Sequence, residues 1–172
     1  QREVVGLNLC PFARQPFAQG RIRIQVSPAQ TLAELLADLA AELQLLHATD
    51  PLQWETTLLV HPHVLRGFDE YNDALDLFDA LVLELDLEGE LQVASFHPDY
   101  RFADAPDDDP ANASNRSPYP MVHLLREASV ERAIASVADT DLIWQRNVET
   151  LRRLGWDGWR RLGVGPTAGT ED

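Results

Sequence analysis

Apolar positions along the chain fall into two alternating kinds of run. Residues 21–26 (RIRIQV) alternate polar and apolar side chains at period two, the pattern of a half-buried strand, and Ser27 and Pro28 end it. Leu32, Leu35, Leu36, Leu39, Leu43 and Leu46 then recur at helical spacing, predicting a helix over 31–47. Thr31, with Glu34 three residues on, supplies a capping box at its start. Residues 56–60 (TTLLV) form a continuous β-prone run, as in a strand buried on both faces. A second helix is predicted over 69–85, with Leu75, Phe78, Leu81, Val82 and Leu85 on one side, and a third strand over 91–96 (LQVASF).

Strands alternating with helices of this length favour parallel pairing through right-handed crossovers. Two more helices are expected near 121–137 and 141–162. The predicted fold is therefore α/β, a small, mainly parallel sheet of three or four strands with crossover helices and a C-terminal helical pair. It forms one domain over 1–162. Residues 163–172 (GVGPTAGTED) lack core-forming side chains and are expected to be a disordered tail.

Composition narrows the partners. The net charge is −14, from 28 acidic and 14 basic residues, and every basic residue is an arginine. Phosphate backbones are neutralised by clustered Lys and Arg, so nucleic acid and anionic membrane are not expected partners. No apolar run approaches the roughly 18 residues of a membrane span. With Cys10 as the only cysteine, no intramolecular disulfide can form, and no signal-peptide pattern opens the sequence. A cytoplasmic location is the expectation.

The chemistry-bearing residues cluster at strand ends. The second strand exits into His61-Pro62-His63 and the third into His97-Pro98-Asp99. Parallel strands would bring both exits to one sheet edge, where open α/β sheets bind ligands. Three imidazoles and a carboxylate suit a divalent transition metal, so His61, His63, His97 and Asp99 are candidate ligands. An imidazole is also the natural acid–base group near neutral pH, which makes His61 and His97 candidate catalytic residues without a metal. The competing reading is that each His anchors its own turn.

Residues 98–118 form a long polar loop with four prolines. Loops of that length are commonly functional or disordered. The loop ends in Asn115-Arg116-Ser117-Pro118-Tyr119-Pro120, ahead of the expected helix carrying His123. Arg116 could hold a carboxylate or phosphate, with Asn115, Tyr119 and His123 completing a substrate pocket, or it could pair with Asp107, Asp108 and Asp109. Cys10, within Leu7-Asn8-Leu9-Cys10-Pro11-Phe12, is a candidate nucleophile. Its apolar neighbours equally suit a small core residue.

Four blocks, LNLCPFA at 7–13, TTLLVHPHVL at 56–65, ASFHPDYRFA at 94–103 and NRSPYPMVHLLREAS at 115–129, resemble the bacterial family catalogued as domain of unknown function 1415. The resemblance spans about Val4 to Arg161. It implies one complete domain and brings no activity, substrate, cofactor or residue role. The residues themselves favour a small-molecule enzyme acting on an anionic substrate at the strand-end His cluster, possible metal dependence included. The alternative is a non-catalytic ligand-binding or adaptor domain with structural His-Pro turns. Neither a Gly-rich phosphate loop nor a nucleophile elbow is present.

Overall fold

The computed structural model describes residues 7, 9, 10, 13–135 and 140–163. The 164–172 stretch of the expected tail lies outside them, as do Asn8, Pro11 and Phe12 of the Cys10 block. A short helix, α1 (Arg14–Ala18), leads into strand β1 (Ile22–Val26). Helix α2 (Leu32–Ala48) opens on the expected capping box. The Thr31 hydroxyl accepts the Glu34 N–H, and the Glu34 carboxylate accepts the Thr31 N–H. Strand β2 (Thr56–Val60) follows. The second expected helix is two pieces, α3 (Phe68–Asp73) and α4 (Leu75–Glu84), broken at Ala74, and β3 (Leu91–Phe96) succeeds them.

The region expected to open as a helix at 121 instead opens as a strand, β4 (Met121–Arg126), and turns directly into helix α5 (Glu127–Ala135). Val122, Leu124 and Leu125 fit either period over so short a window. Pairing decides the matter, because β4 fills the gap between β2 and β3 and is antiparallel to both. The sheet order is β1-β2-β4-β3, and only β1–β2 is a parallel pair. The sheet is thus mostly antiparallel rather than mainly parallel. Strands β2 and β3 nevertheless point the same way, since each opposes β4.

One sheet face carries the main core. Leu59, Leu91, Val122 and Leu124 pack there against Leu35, Leu39, Leu43 and Leu46 of α2 and Phe78 and Val82 of α4. On β1 the same face carries Arg23, whose guanidinium makes a two-pronged pair with Glu42 of α2 at 2.8 and 2.9 Å. The opposite face holds Ile22, Ile24 and Val26, then Leu58, Val60, Met121, Leu125 and Phe96; Ile24 and Val26 are 64% and 56% exposed.

The last helix, α6 (Thr140–Arg161), bends at Gly155, whose φ of 63° is left-handed. It packs on a 3-10 turn at Pro110–Asn115, within the long loop. Leu9, Ala113, Leu151 and Trp159 form a second, smaller core there. Asp109 caps the turn through the Ala111 N–H and receives Arg152 in a forked pair whose shortest contact is 2.6 Å. One of the two readings of Arg116 pairs it with the acidic run; at Asp109 that place is taken by Arg152. Among the described residues no helix is long and apolar enough to cross a membrane.

Candidate functional site

Register places the two His-Pro exits symmetrically. Val60 of β2 and Phe96 of β3 both face Met121 of β4. Beyond that pair the two exits diverge: His61 pairs with Pro120, whereas the His97 N–H donates to the Asn115 carbonyl and its own carbonyl accepts the Ser117 N–H. The His61 N–H donates to the Pro120 carbonyl at 3.0 Å. Strand alternation turns both side chains to the main-core face, with Leu59 and Val122, and both are wholly buried.

Tyr71 of α3 joins them. Its ring stacks on His61 with centroids 5.7 Å apart and planes 16° apart, and meets His97 at 5.2 Å. Its hydroxyl enters the sheet itself. It accepts the Phe96 N–H at 3.1 Å and donates to the Met121 carbonyl at 2.8 Å, bridging the last β3–β4 rung. Burial holds this phenol well above the usual tyrosine range. Tyr71→Phe is expected to cost about 2–3 kcal/mol, because a buried N–H and a buried carbonyl lose their partner together. Urea titration measures it; a loss under about 0.5 kcal/mol would mean that the rung closes directly without the hydroxyl.

The long loop folds back over this edge. Tyr100 meets Phe68 of α3 at 5.3 Å and Phe102 at 5.0 Å, and Phe68 meets His97 at 5.5 Å. Arg101 lies over the Phe68 ring and pairs with Asp69 at 2.6 Å. Asn112, fully buried, holds the loop from inside by accepting the Phe102 N–H and donating to the carbonyls of Pro106 and Asp107.

Backbone partners fix the protons on both imidazoles. His61 Nδ1 lies 2.9 Å from the Val64 carbonyl, which can only accept, so Nδ1 carries the hydrogen and Nε2 a lone pair. His97 Nδ1 receives the Asp99 N–H at 3.0 Å, so in the neutral ring Nε2 carries the hydrogen. Both Nε2 atoms are buried without a hydrogen-bond partner among the described residues. Burial is the largest influence on each ring and favours its neutral form. The charge of His97 adds to that at His61, while Asp99 and the carbonyls of Leu65 and Arg66 act against it at His97.

The other sequence candidates scatter. His63 and the Asp99 side chain are exposed. The described residues contain no group of three His, Cys, Asp or Glu side chains able to share a metal ion. His97, with its hydrogen on Nε2, is also in the wrong form to ligate through that atom. The expected His61–His63–His97–Asp99 metal centre is therefore not assembled, because each His spends its Nδ1 on its own turn and the turns point His63 and Asp99 outward.

His123 sits on the opposite sheet face, since Val122 and Leu124 of the same strand enter the core. Its Nε2 lies 2.7 Å from the Thr56 hydroxyl, and burial lowers its pKa to about 4. The Thr56 hydroxyl donates to the Leu124 carbonyl, so it accepts from His123. Asn115 is spent structurally: its carbonyl accepts the His97 N–H and its Nδ2 donates to the Ser95 carbonyl at 3.2 Å. Arg116 stacks on Trp156 at 4.4 Å and donates from Nε to the Tyr100 carbonyl, with Asp99, Arg101 and Asp107 near enough to influence it. Tyr119 is 41% exposed. Cys10 is half-buried, next to Leu9 of the smaller core, whereas His61 and His97 border the main one.

Sequence reasoning missed Tyr71 and Asn112. Tyr71 had a faint signal, as a polar-tipped ring one helical turn after Phe68 in a segment leading from one His-Pro exit towards the other. Asn112 had none, since its role exists only once the loop is closed.

The architecture is a mixed α/β domain, with His61 and His97 buried at one edge of its sheet. The chain belongs to a family described as Protein of unknown function (DUF1415), whose model matches residues 1–161. No curated protein and no solved structure matches it.

Proposed function

We propose that this chain is a small-molecule enzyme that uses His61 and His97 as a neutral acid–base pair. The observation that carries the reading is the pair of wholly buried imidazoles with unpartnered Nε2 atoms against one tyrosine ring. An unsatisfied buried polar atom is costly and calls for an explanation such as catalysis or a bound molecule. Both rings are held by their Nδ1 atoms, which pre-orients the Nε2 atoms at no further cost in order. Arg116, on the loop that covers the edge, supplies positive charge for an anionic group of the substrate. No metal enters this reading, because the donor set does not fit one.

The substitutions that test it keep the turns. Asparagine can reproduce an Nδ1 contact, donating to the Val64 carbonyl at 61 or accepting the Asp99 N–H at 97, and it lacks Nε2. A panel of small hydroxyl-bearing carboxylates and phosphate esters is followed by proton NMR for turnover. His61→Asn and His97→Asn should each lower turnover by about 100-fold or more while remaining folded, the usual scale of a lost acid–base group. Undiminished turnover in both would overturn the proposal.

A second reading has its own support. Full burial and the Nδ1 contacts are what purely structural His-Pro turns would show, in a ligand-binding or adaptor domain without catalysis. On that reading the asparagine variants keep both stability and every ligand response, and only alanine at 61 or 97 does harm.

A further inference from the structure

We infer that the free edge of β1 is a self-association surface, where a second copy of this chain adds its own β1 antiparallel and the two four-stranded sheets become one. The inference is independent of the imidazole reading. β1 ends the sheet, with β2 on one side and no strand on the other among the described residues. The Arg21 carbonyl accepts the Glu55 N–H, and the Ser27 N–H donates to the Val60 carbonyl, so the odd-numbered residues of β1 turn their backbone groups to β2. Strand alternation turns those of Ile22, Ile24 and Val26 outward. Among the described residues only the Gln25 side chain meets them, at the Val26 carbonyl, which keeps a second lone pair. Edge strands usually carry a lysine, a proline or a bulge that prevents pairing with another chain. β1 has no lysine or proline, and its register with β2 is unbroken over Ile22–Val26. Arg23 is turned to the main-core face and paired with Glu42, while Ile24 and Val26 lie on the other face, largely exposed.

Charge and register point to a second copy as the occupant. In a chain of net charge −14, residues 19–28 (QGRIRIQVSP) hold no acidic side chain, and Arg21 and Arg23 are each matched by a glutamate, so two copies repel least along this edge. The strand also complements itself in one register. Centred on Ile24, an antiparallel pair sets Ile24 opposite Ile24 of the copy, Ile22 opposite Val26, and Arg23 opposite Gln25. Outward residues directly opposite one another exchange both backbone hydrogen bonds, so every outward N–H and carbonyl of β1 finds a partner. Centring the pair on Ile22 or Arg23 instead opposes arginine to arginine. Centring it on Gln25 or Val26 opposes Pro28, which has no N–H, to Ile22 or Ile24. In the Ile24 register the isoleucines and valines of both copies form one apolar ladder, continuous with Leu58 and Val60 of β2.

Sedimentation equilibrium of the full chain at micromolar concentration tests this, together with amide hydrogen exchange read residue by residue. The wild-type chain should sediment at twice its mass of 19.3 kDa. Its Ile22, Ile24 and Val26 amides should be protected from exchange. Ile24→Lys sets two ammonium groups opposite each other at the centre of the pair, and should raise the dissociation constant by about 100-fold or more, as like charges do when juxtaposed at an interface. The three outward amides should then exchange freely, while those of Arg23 and Gln25, bonded to β2, stay protected. Val26→Lys, also at an exposed position, is the second variant should the first lose its fold by circular dichroism. A monomeric wild-type chain would overturn the inference. So would a dimer whose three outward amides exchange freely, or one that persists undiminished in the folded lysine variants, since each places the interface elsewhere.

Discussion

Replacing Arg126 with methionine is expected to cost about 3–5 kcal/mol, on the scale of several charge-assisted hydrogen bonds to buried carbonyls. Arg126 ends β4 and points to the main-core face. Its Nη2 reaches the carbonyls of Leu46 at 2.7 Å, Thr49 at 2.6 Å and Trp54 at 3.2 Å. Leu46 lies in the last turn of α2, where carbonyls lack helical partners and a positive charge is favourable. One guanidinium therefore ties the end of α2, the following turn and the entry to β2 to the central strand. Methionine fills similar volume but removes this donor from all three carbonyls, leaving the Leu46 carbonyl with the Thr49 N–H alone. Urea unfolding of the variant measures the loss. Arg126→Lys should recover only part of it, because an ammonium cannot span three carbonyls from one planar group. A cost below 1 kcal/mol would show that water replaces the guanidinium without penalty.

Acid should weaken the fold well above the range where carboxylates titrate. His123 has its pKa lowered to about 4 by burial, against about 6.5 when unfolded. Because the folded value is depressed, the unfolded chain takes up the proton first. The contribution is complete above pH 6.5 and is lost as pH falls through that value towards 4, a change of about 3 kcal/mol for a displacement of this size. His61 and His97 are displaced in the same direction and steepen the same limb. Urea midpoints between pH 7.5 and 5 give the slope. His123→Gln keeps a donor for Thr56 and cannot titrate, so its slope should be visibly shallower. An unchanged slope would show that His123 protonates in the folded chain without hindrance.

Residues that interact within one element were legible beforehand. Strands β2 and β3 and the Thr31–Glu34 box follow from local period and local capping. Strand β4 was not legible, because the six residues MVHLLR satisfy helical and strand spacing alike, and only their two partner strands choose between them. The same limit applies at the site. His61 and His97 could be placed at one edge from their repeated His-Pro context, although the reason is an antiparallel strand between them rather than direct pairing. His63, Asp99 and His123 could not be separated from that set, since which face a residue takes depends on where a strand begins. The proton positions on the two rings were equally hidden, because they depend on which backbone atom each Nδ1 meets.

The position of β4 also bears on how the chain comes together. One of the two interior strands is the last of the four in sequence, so a growing chain that has made β1, β2 and β3 still has an open slot between its second and third strands. Tyr71, which touches both His61 and His97, is itself held by the Met121 carbonyl of that last strand. Closure of that slot is a long-range event with a substantial loop-closure cost, which places it late in folding. A fragment ending before residue 121 lacks both the strand that separates His61 from His97 and the carbonyl that anchors Tyr71.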